Sequence, residues 1–600
     1  MMQFVSTSSE QIDMTEMVEL KKIPYGNAGF LSIRSCDYAY VDKTRFIETL
    51  EQAGSRFPFI VRPRRFGKTL FTETLRAYYD KSEADNFEKN FSGTYIGSHR
   101  TPLASQYYVL KFTFAGFSSE NPEDDFLRTV RNSLYAFFNL YPHPRQNEIL
   151  DQPYPNAGAL IQTFFALLGT EYCQKLFIII DEYDHLTNVV LYREIEEFKA
   201  ITSAAGFFKD FYTQLKSATN DTGPVARIFI TGVASIALDS ITSGFSIATN
   251  YTTRSAFSTL FGFTEDELRK LIPEIIDLQK YGRSVDQIIA RMKEWYNGYR
   301  FSSKGDESVF NASMCLYYLG YIRDENEEPV TLLDPSFSQD LQKISAILGL
   351  GDQNFVKSIL TTALQHQPID FPAGDLQLLN INRNDQLDAD CILSAMFYMG
   401  YLTFAPNDRY KLVIPNRAVA IQFFEYYLQN ILSVTGAAGR YTARDLIDAY
   451  QALKNGDPEP LFRSASNRFA QQSDSMTSLH LTESDFQTLI AASLYFNNEV
   501  MVIREAQAVG PNGGRIDLLI KPSETATGKF SYLVEFKHLT KSEIKSNKNN
   551  VHAVAKMALE QARRYANCEN IHRIPNLKLV VAVYAGTELS ELLVEDFARD

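Results

Sequence analysis

The stretch Phe57-Pro58-Phe59-Ile60-Val61-Arg62-Pro63-Arg64-Arg65-Phe66-Gly67-Lys68-Thr69-Leu70 decides how the rest of the chain is read. Its first five residues are apolar whichever way they point, the pattern of a strand buried on both faces. Gly67-Lys68-Thr69 then opens a helical segment. The second half of the phosphate-loop pattern GxxxxGK[ST] is in place, and Arg62 stands where the pattern has its first glycine. Gly67 lets the backbone approach a phosphate, Lys68 reaches toward the β- and γ-phosphates, and Thr69 offers a hydroxyl to Mg2+. The helix N-terminus adds free N–H groups and the positive end of a dipole. Arg64 and Arg65 add positive charge beside the phosphates, or pair with acidic residues of the same domain.

Working outward, the apolar runs Tyr107–Phe114, Leu176–Ile180 and Ile228–Thr231 alternate with helical stretches, so residues 20–265 read as an α/β domain. The run Leu176–Ile180 ends in Asp181-Glu182-Tyr183-Asp184, about 110 residues after the loop. An apolar strand ending in Asp-Glu is the Walker B arrangement, in which Asp181 supports the Mg2+ shell and Glu182 orients the attacking water. Thr231, polar at the end of the next run, is placed to sense a γ-phosphate. A buried sheet with acidic strand ends would share some of these features. The order of GKT, DE and polar strand end favours ATP with Mg2+.

Residues 20–270 resemble an AAA-ATPase-like family found beside PD-(D/E)XK nuclease domains. The resemblance is carried by Ile23-Pro24-Tyr25-Gly26, Tyr40-Val41-Asp42-Lys43-Thr44, Arg62–Leu70, Asp181-Glu182-Tyr183-Asp184 and Ile230-Thr231-Gly232-Val233. In that family an arginine also replaces the first loop glycine. Together the motif and the resemblance imply that Arg62, Arg65, Gly67, Lys68, Thr69, Asp181 and Thr231 bind the nucleotide, with Thr69 and Asp181 at its metal. The chain departs from the family at His185 and Leu186, where a small residue or proline is usual. It departs again at Ser243–Asn250, where an Asn-rich stretch would help sense the γ-phosphate. Arg254 and Arg227 are the candidates for an arginine finger.

Residues 266–480 read as mainly helical. Thr264 is an N-cap with Glu267 three residues on. The helix Asp388–Tyr398, the strands Tyr401–Phe404 and Lys411–Ile414 and the turn Pro406-Asn407-Asp408 read as a winged-helix-like piece or a small α/β connector. Trp295–Tyr299, Val309–Asn311 and Gly400–Leu402 resemble family motifs and read as structural.

Residues 481–600 read as α-β-β-β-α-β: Glu483–Tyr495, Val500–Ile503, Arg515–Ile520, Tyr532–Phe536, Val551–Tyr565 and Leu577–Tyr584. Across the second and third strands lies Asp517…Glu535-Phe536-Lys537. Strand alternation puts Glu535 and Lys537 on one face, and Asp517 can meet Glu535 side by side. Two carboxylates suit an oxygen-liganded Mg2+, which would stabilise charge on a scissile phosphate and help make hydroxide. Lys537 would orient that water or neutralise the phosphate. A structural ion pair across exposed strands would leave the same signature. The arrangement resembles the PD-(D/E)XK nuclease superfamily, and Gln561-Ala562-Arg563-Arg564-Tyr565 matches the QxxxY pattern of its exonuclease-like branch. The resemblance implies that Gln561 holds the metal-site water or carboxylates, that Tyr565 stacks or bonds near substrate, and that Glu483 completes the site. Glu505 is a further acidic neighbour. The stretch Lys541–Asn550 reads as a solvated loop, or as a strip touching phosphate.

Composition bounds these readings. In 600 residues, 45% are apolar and 22% charged, which excludes a wholly disordered, collagen-like or disulfide-stapled chain. A net charge of −13 excludes a globally basic nucleic-acid coat but not local basic grooves. The scattered Cys36, Cys173, Cys315, Cys391 and Cys568 form no CxxC pair, which argues against structural zinc and for a reducing compartment. The chain shows no signal-peptide pattern at its start and no apolar run of membrane-spanning length, so an intracellular location with no membrane partner is expected. The expected fold class is α/β: a tail 1–19, an AAA-like P-loop domain 20–265, a mainly helical region 266–480 and a PD-(D/E)XK nuclease-like domain 481–600. The expected activity is ATP binding and hydrolysis joined to metal-dependent cleavage of nucleic acid, DNA before RNA, with a homo-oligomer open. The alternative is a nucleotide-dependent binding switch whose nuclease-like domain is inactive.

Overall fold

The computed structural model describes residues 20–115, 121–187, 190, 200–201, 206–234, 246–304, 307–329, 331–334, 347–364, 367–374, 376, 387–426, 443–470, 482–495, 500–511, 513–522, 529–540 and 550–598. The tail 1–19, the 541–549 strip, the middle of the turn after Ile520 and the start of the Ser243–Asn250 stretch lie outside the described residues.

The apolar runs form a parallel sheet. Strands β1 (Pro58–Val61), β2 (Tyr108–Thr113), β3 (Leu176–Asp181), β4 (Val225–Gly232) and β5 (Thr249–Asn250) lie in the order β2-β3-β4-β1-β5. β1 and β3 are buried at every position, as strands covered on both faces must be. The register sets Thr113 beside Asp181 and Val61 beside Gly232. The loop after β1, the acids ending β3 and the end of β4 therefore open at one edge, where ligands of open parallel sheets bind. β5 is a short strand that the sequence reading did not anticipate.

Helix Glu265–Ile275 starts with the capping box expected of Thr264 and Glu267. A second box, Ser284 with Gln287, starts helix Val285–Tyr296. Further on, β6 (Ile369–Asp370), helix Ala389–Tyr398, β7 (Thr403–Ala405) and β8 (Asp408–Val413) build a three-stranded antiparallel sheet ordered β6-β8-β7. The helix and two of the strands fall where the sequence placed a winged-helix-like piece or a small α/β connector, and β6 is a third strand that the sequence reading missed. The helix is buried from Cys391 to Tyr398, so it is core and not a groove reader.

Helix Glu483–Tyr495 precedes a second sheet of β9 (Val500–Ala508), β10 (Gly514–Pro522), β11 (Ser531–Leu539), β12 (Leu577–Ala585) and β13 (Glu588–Asp596). The order is β13-β12-β11-β10-β9, antiparallel except for β11 with β12. Helix Asn550–Ala566 makes the crossover that a parallel pair needs. β13 follows the expected elements. Its acidic residues hid it, but they are what an edge strand carries. One apolar core runs from Phe30 to Leu589 and joins the first sheet, the middle helices and one face of the second sheet. Among the described residues, no helix is long and apolar enough to cross a membrane.

Candidate functional site: a phosphate loop and a carboxylate pair

Helix Lys68–Tyr79 starts directly after the loop, with Gly67 at φ +93° and Arg65 at φ +68°. Gly67 is the residue that takes such a turn at least cost. Lys68 is buried and its Nζ donates to the carbonyls of Arg62 (3.0 Å) and Pro63 (2.9 Å). Burial pulls its pKa down to about 8, against the opposing pull of Asp181, Asp184 and Glu182. Gly67, Lys68, Thr69, Arg64, Arg65 and Glu182 line one cavity of about 460 Å³. Tyr40, Val41, Leu271 and Leu316 add apolar surface to its lining.

The acids ending β3 split between three directions. Asp181 is fully buried, with Oδ2 3.3 Å from Thr72 Oγ1 and 3.7 Å from Lys111 Nζ. Its Oδ1 has no hydrogen-bond partner. Glu182 sits at φ +54° and faces the cavity, with Oε2 4.0 Å from His185 Nδ1. His185, one of the two departures from the family pattern after the acids, also lines that cavity. Asp184 turns inward and accepts the N–H groups of Val233 (3.0 Å) and Ala234 (2.8 Å), tying the end of β3 to the end of β4.

Two residues expected at the nucleotide lie elsewhere. Thr231 donates its hydroxyl to the Ile60 carbonyl at 2.7 Å inside the sheet. The Arg62 guanidinium points into the core, donating to backbone carbonyls and stacking on Phe301. Neither lines the cavity, and Asp181, the third such residue, does not line it either. Of the finger candidates, Arg227 pairs in register with Phe177, four strand positions before Asp181, roughly 13 Å toward the opposite edge of the sheet. Arg254 is exposed and lies outside the cavity wall. The sequence reading missed Lys111, which also donates to Glu73 Oε1 (2.7 Å), and Ser313, which lines the cavity. The one signal for Lys111 was a charge inside an otherwise apolar strand.

In the second sheet, Leu518 pairs with Val534, and one further step sets Asp517 opposite Glu535. Asp517 Oδ2 accepts the Phe536 N–H at 2.8 Å. Glu535 is 1% exposed and its Oε1 has no partner. Burial, and then the Asp517 charge, push the Glu535 carboxyl up to about 8. Burial raises Asp517 and Glu483 as well. Lys537 Nζ lies 3.4 Å from Glu483 Oε1. Pairs flanking Asp517 on the other side put Glu505 opposite it, but Glu505 is held by Arg515 (3.1 Å) and Gln367 (3.3 Å). Gln561 donates to Tyr565 Oη at 3.0 Å, and Tyr565 packs on Gly514 at the start of β10. The structure thus gathers Glu483, Asp517, Glu535 and Lys537, with Gln561 and Tyr565 as a separate pair three residues up β10.

Among the described residues, no group of three or more His, Cys, Asp or Glu side chains is placed to hold a metal. The donor chemistry nevertheless fits a hard cation. Asp181 Oδ1 and Glu535 Oε1 are buried carboxylate oxygens without a partner, the groups that a folded protein otherwise satisfies.

Residues 24–242 match the family model described as a predicted AAA-ATPase, and residues 481–591 match that of the PD-(D/E)XK nuclease superfamily. Over these two segments the chain is thus similar to a predicted AAA-ATPase family and, at its C-terminal end, to the PD-(D/E)XK nuclease superfamily. It is 27% identical, over 408 residues, to an uncharacterized protein from the vnfD 5′ region of Azotobacter chroococcum mcd 1, covering 64% of this chain and 71% of the relative. Among solved structures, a Walker-type ATPase of Pyrococcus abyssi aligns with a TM-score of 0.35 and 9% identity, over 64% of this chain and 94% of that one.

Proposed function

We propose that the chain binds and hydrolyses ATP at the loop 62–69 and cleaves nucleic acid, DNA before RNA, at the Asp517–Glu535 pair. Division into a P-loop domain 20–265, a helical region 266–480 and a nuclease-like domain 481–600 belongs to the same reading. The observation that carries it is Glu535, a buried carboxyl with an orphaned oxygen opposite Asp517, in a segment that matches a nuclease superfamily.

At the loop, Gly67 opens the backbone to the phosphates. Lys68 exchanges its bonds to the Arg62 and Pro63 carbonyls for phosphate oxygens. Glu182 holds and polarises the attacking water, while Thr69 and Asp181 would hold Mg2+. The apolar surface of Tyr40, Val41 and Leu316 receives the base. At the second site, Asp517 and Glu535 would hold Mg2+, which supplies charge stabilisation for the scissile phosphate and an acidified water. Phe536 N–H fixes the Asp517 carboxylate. Lys537, held by Glu483, orients water or phosphate, and Gln561, paired here with Tyr565, would have to leave that bond to reach a metal-site water.

Linear and circular DNA and RNA, incubated with Mg2+ or Mn2+ with and without ATP, test the proposal. Asp517→Ala and Glu535→Ala should each abolish cleavage, and the double variant should be scarcely worse, because the pair acts as a unit. Cleavage that survives Asp517→Ala refutes the assignment. A second reading is a nucleotide-driven switch with a silent nuclease fold, favoured in that no group of three or more His, Cys, Asp or Glu side chains among the described residues is placed to hold a metal. ATP turnover without cleavage under any of these conditions selects that reading.

A further inference from the structure

Arg62 replaces the first glycine of the phosphate-loop pattern, and the proposed chemistry makes no use of its charge. The side chain is 1% exposed. Its guanidinium donates to the carbonyls of Val61 (2.8 Å), Thr252 (2.7 Å) and Phe257 (2.8 Å). It lies 4.3 Å from the centroid of the Phe301 ring. Burial alone pulls its pKa down, with no carboxylate acting against it. A buried cation is costly unless its hydrogen bonds are made; here three backbone carbonyls and a ring face take the two terminal nitrogens, while Nε keeps no partner. The contacts join the end of β1, the segment after β5 and the middle region.

The residues that follow are gripped by the same neighbours. Pro63 packs under Gly400, where an added Cβ would come within 2.8 Å of the proline ring. The Arg65 carbonyl accepts the Ser313 N–H at 3.2 Å, and the Phe66 carbonyl accepts the Gly262 N–H at 2.9 Å. The Phe66 ring meets Tyr299 and Phe301 edge-on at 4.8 and 5.4 Å. A glycine at the loop start would give the backbone freedom to wrap a phosphate. Arg62 gives the opposite, a start pinned from outside. The carbonyls of Arg62 and Pro63, which hold Lys68, lie on that pinned segment.

We propose that Arg62 is a positioning residue that anchors the phosphate loop to residues 252–257 and to Phe301, making the middle region part of the construction of the nucleotide site. This deepens the nucleotide reading above and rests on it.

The sharpest variant is Arg62→Gly, which restores the general loop pattern. Calorimetry with ATP, ADP and AMP on the full chain reads the result. The anchor predicts that ATP affinity falls on the order of 100-fold while AMP affinity changes less than about threefold, because the lost grip is on the outer phosphates. Arg62→Lys keeps the charge but not the planar fork, so its loss should be intermediate. Hydrogen exchange without nucleotide should quicken in 62–69 and in 252–257 and stay unchanged in β3. Metal titration of the Asp517–Glu535 site checks that each variant is folded. Wild-type ATP affinity in Arg62→Gly overturns the proposal, as does an equal fall for ATP and AMP with faster exchange across the whole sheet. If the wild-type protein does not prefer ATP to AMP, the nucleotide reading fails by itself. Hydrogen exchange then decides the anchor: unchanged protection of 62–69 in Arg62→Gly overturns it, and selective loss supports it.

Discussion

Replacing Glu535 by glutamine should make the protein more stable while silencing the second site. The Glu535 carboxyl moves from its ordinary 4.5 to about 8 on folding, chiefly through burial. Between those two values the folded protein keeps a proton that the unfolded chain releases. Stability is therefore fully present below pH 4.5 and is lost as pH rises toward 8, at up to about 1.4 kcal/mol per pH unit. By pH 8 the accumulated loss is roughly 4 kcal/mol before any relaxation of the site. Asp517 and Glu483 are also raised by burial and act in the same direction. The amide of Glu535→Gln cannot ionise, so in EDTA the variant should match wild type near pH 5 and exceed it by a few kcal/mol at pH 8. A bound cation should reverse the order, because only the carboxylate gains from it. Metal affinity of the wild type should rise about tenfold per pH unit from pH 6 toward 8, with close to one proton released per metal bound. Thermal unfolding from pH 5 to 8 with and without Mg2+ reads the first effect. Calorimetry in two buffers of different ionisation enthalpy reads the second. A wild-type stability that rises with pH relative to Glu535→Gln in EDTA, or metal binding without proton release, would refute the reasoning.

Lys68→Ala should lose most ATP affinity by calorimetry and keep its thermal transition, since the ammonium bonds only two loop carbonyls at a cavity wall. Unchanged affinity would count against the phosphate loop. Glu182→Gln should bind ATP as wild type does and hydrolyse it at least about 100-fold more slowly, because the amide keeps the shape and loses the charge that polarises water. Hydrolysis at the wild-type rate would assign that role elsewhere. Asp184→Asn should cost about 2–4 kcal/mol in a denaturant titration, because its carboxylate accepts one buried and one half-buried N–H group and an amide turns a donor toward one of them. A loss below about 0.5 kcal/mol would show that this tie between β3 and β4 is dispensable.

The strands, helix starts and motif positions were legible because they rest on local chemistry. Runs such as Leu176–Ile180 are apolar at every position, and only a strand covered on both faces makes use of that. Thr264 and Glu267 satisfy each other's backbone three residues apart, so the helix start needs no distant partner. Asp517 and Glu535 fell opposite each other because strand alternation and a single turn limit the register. Partners were not legible in this way. β1 pairs with β4 across about 170 residues, and that pairing turns the Thr231 hydroxyl onto Ile60. Arg62 stood beside Arg64 and Arg65 as one more loop cation, and only the arrival of residues 252–257 and 301 drew it into the core. Trp295–Tyr299, Val309–Asn311 and Gly400–Leu402 read as three unconnected structural motifs, yet Tyr299 meets Phe66, Phe310 pairs with Phe263 beside the loop, and Gly400 lies over Pro63. The sequence by itself determined the apolar and alternating strands and the capped helix starts, though not β5, β6 or β13, and which residues carry usable charge, since spacing and polarity act over a few residues. Only the tertiary structure decided where each side chain spends its hydrogen bonds, because a buried donor takes whichever acceptor the long-range packing brings within 3 Å.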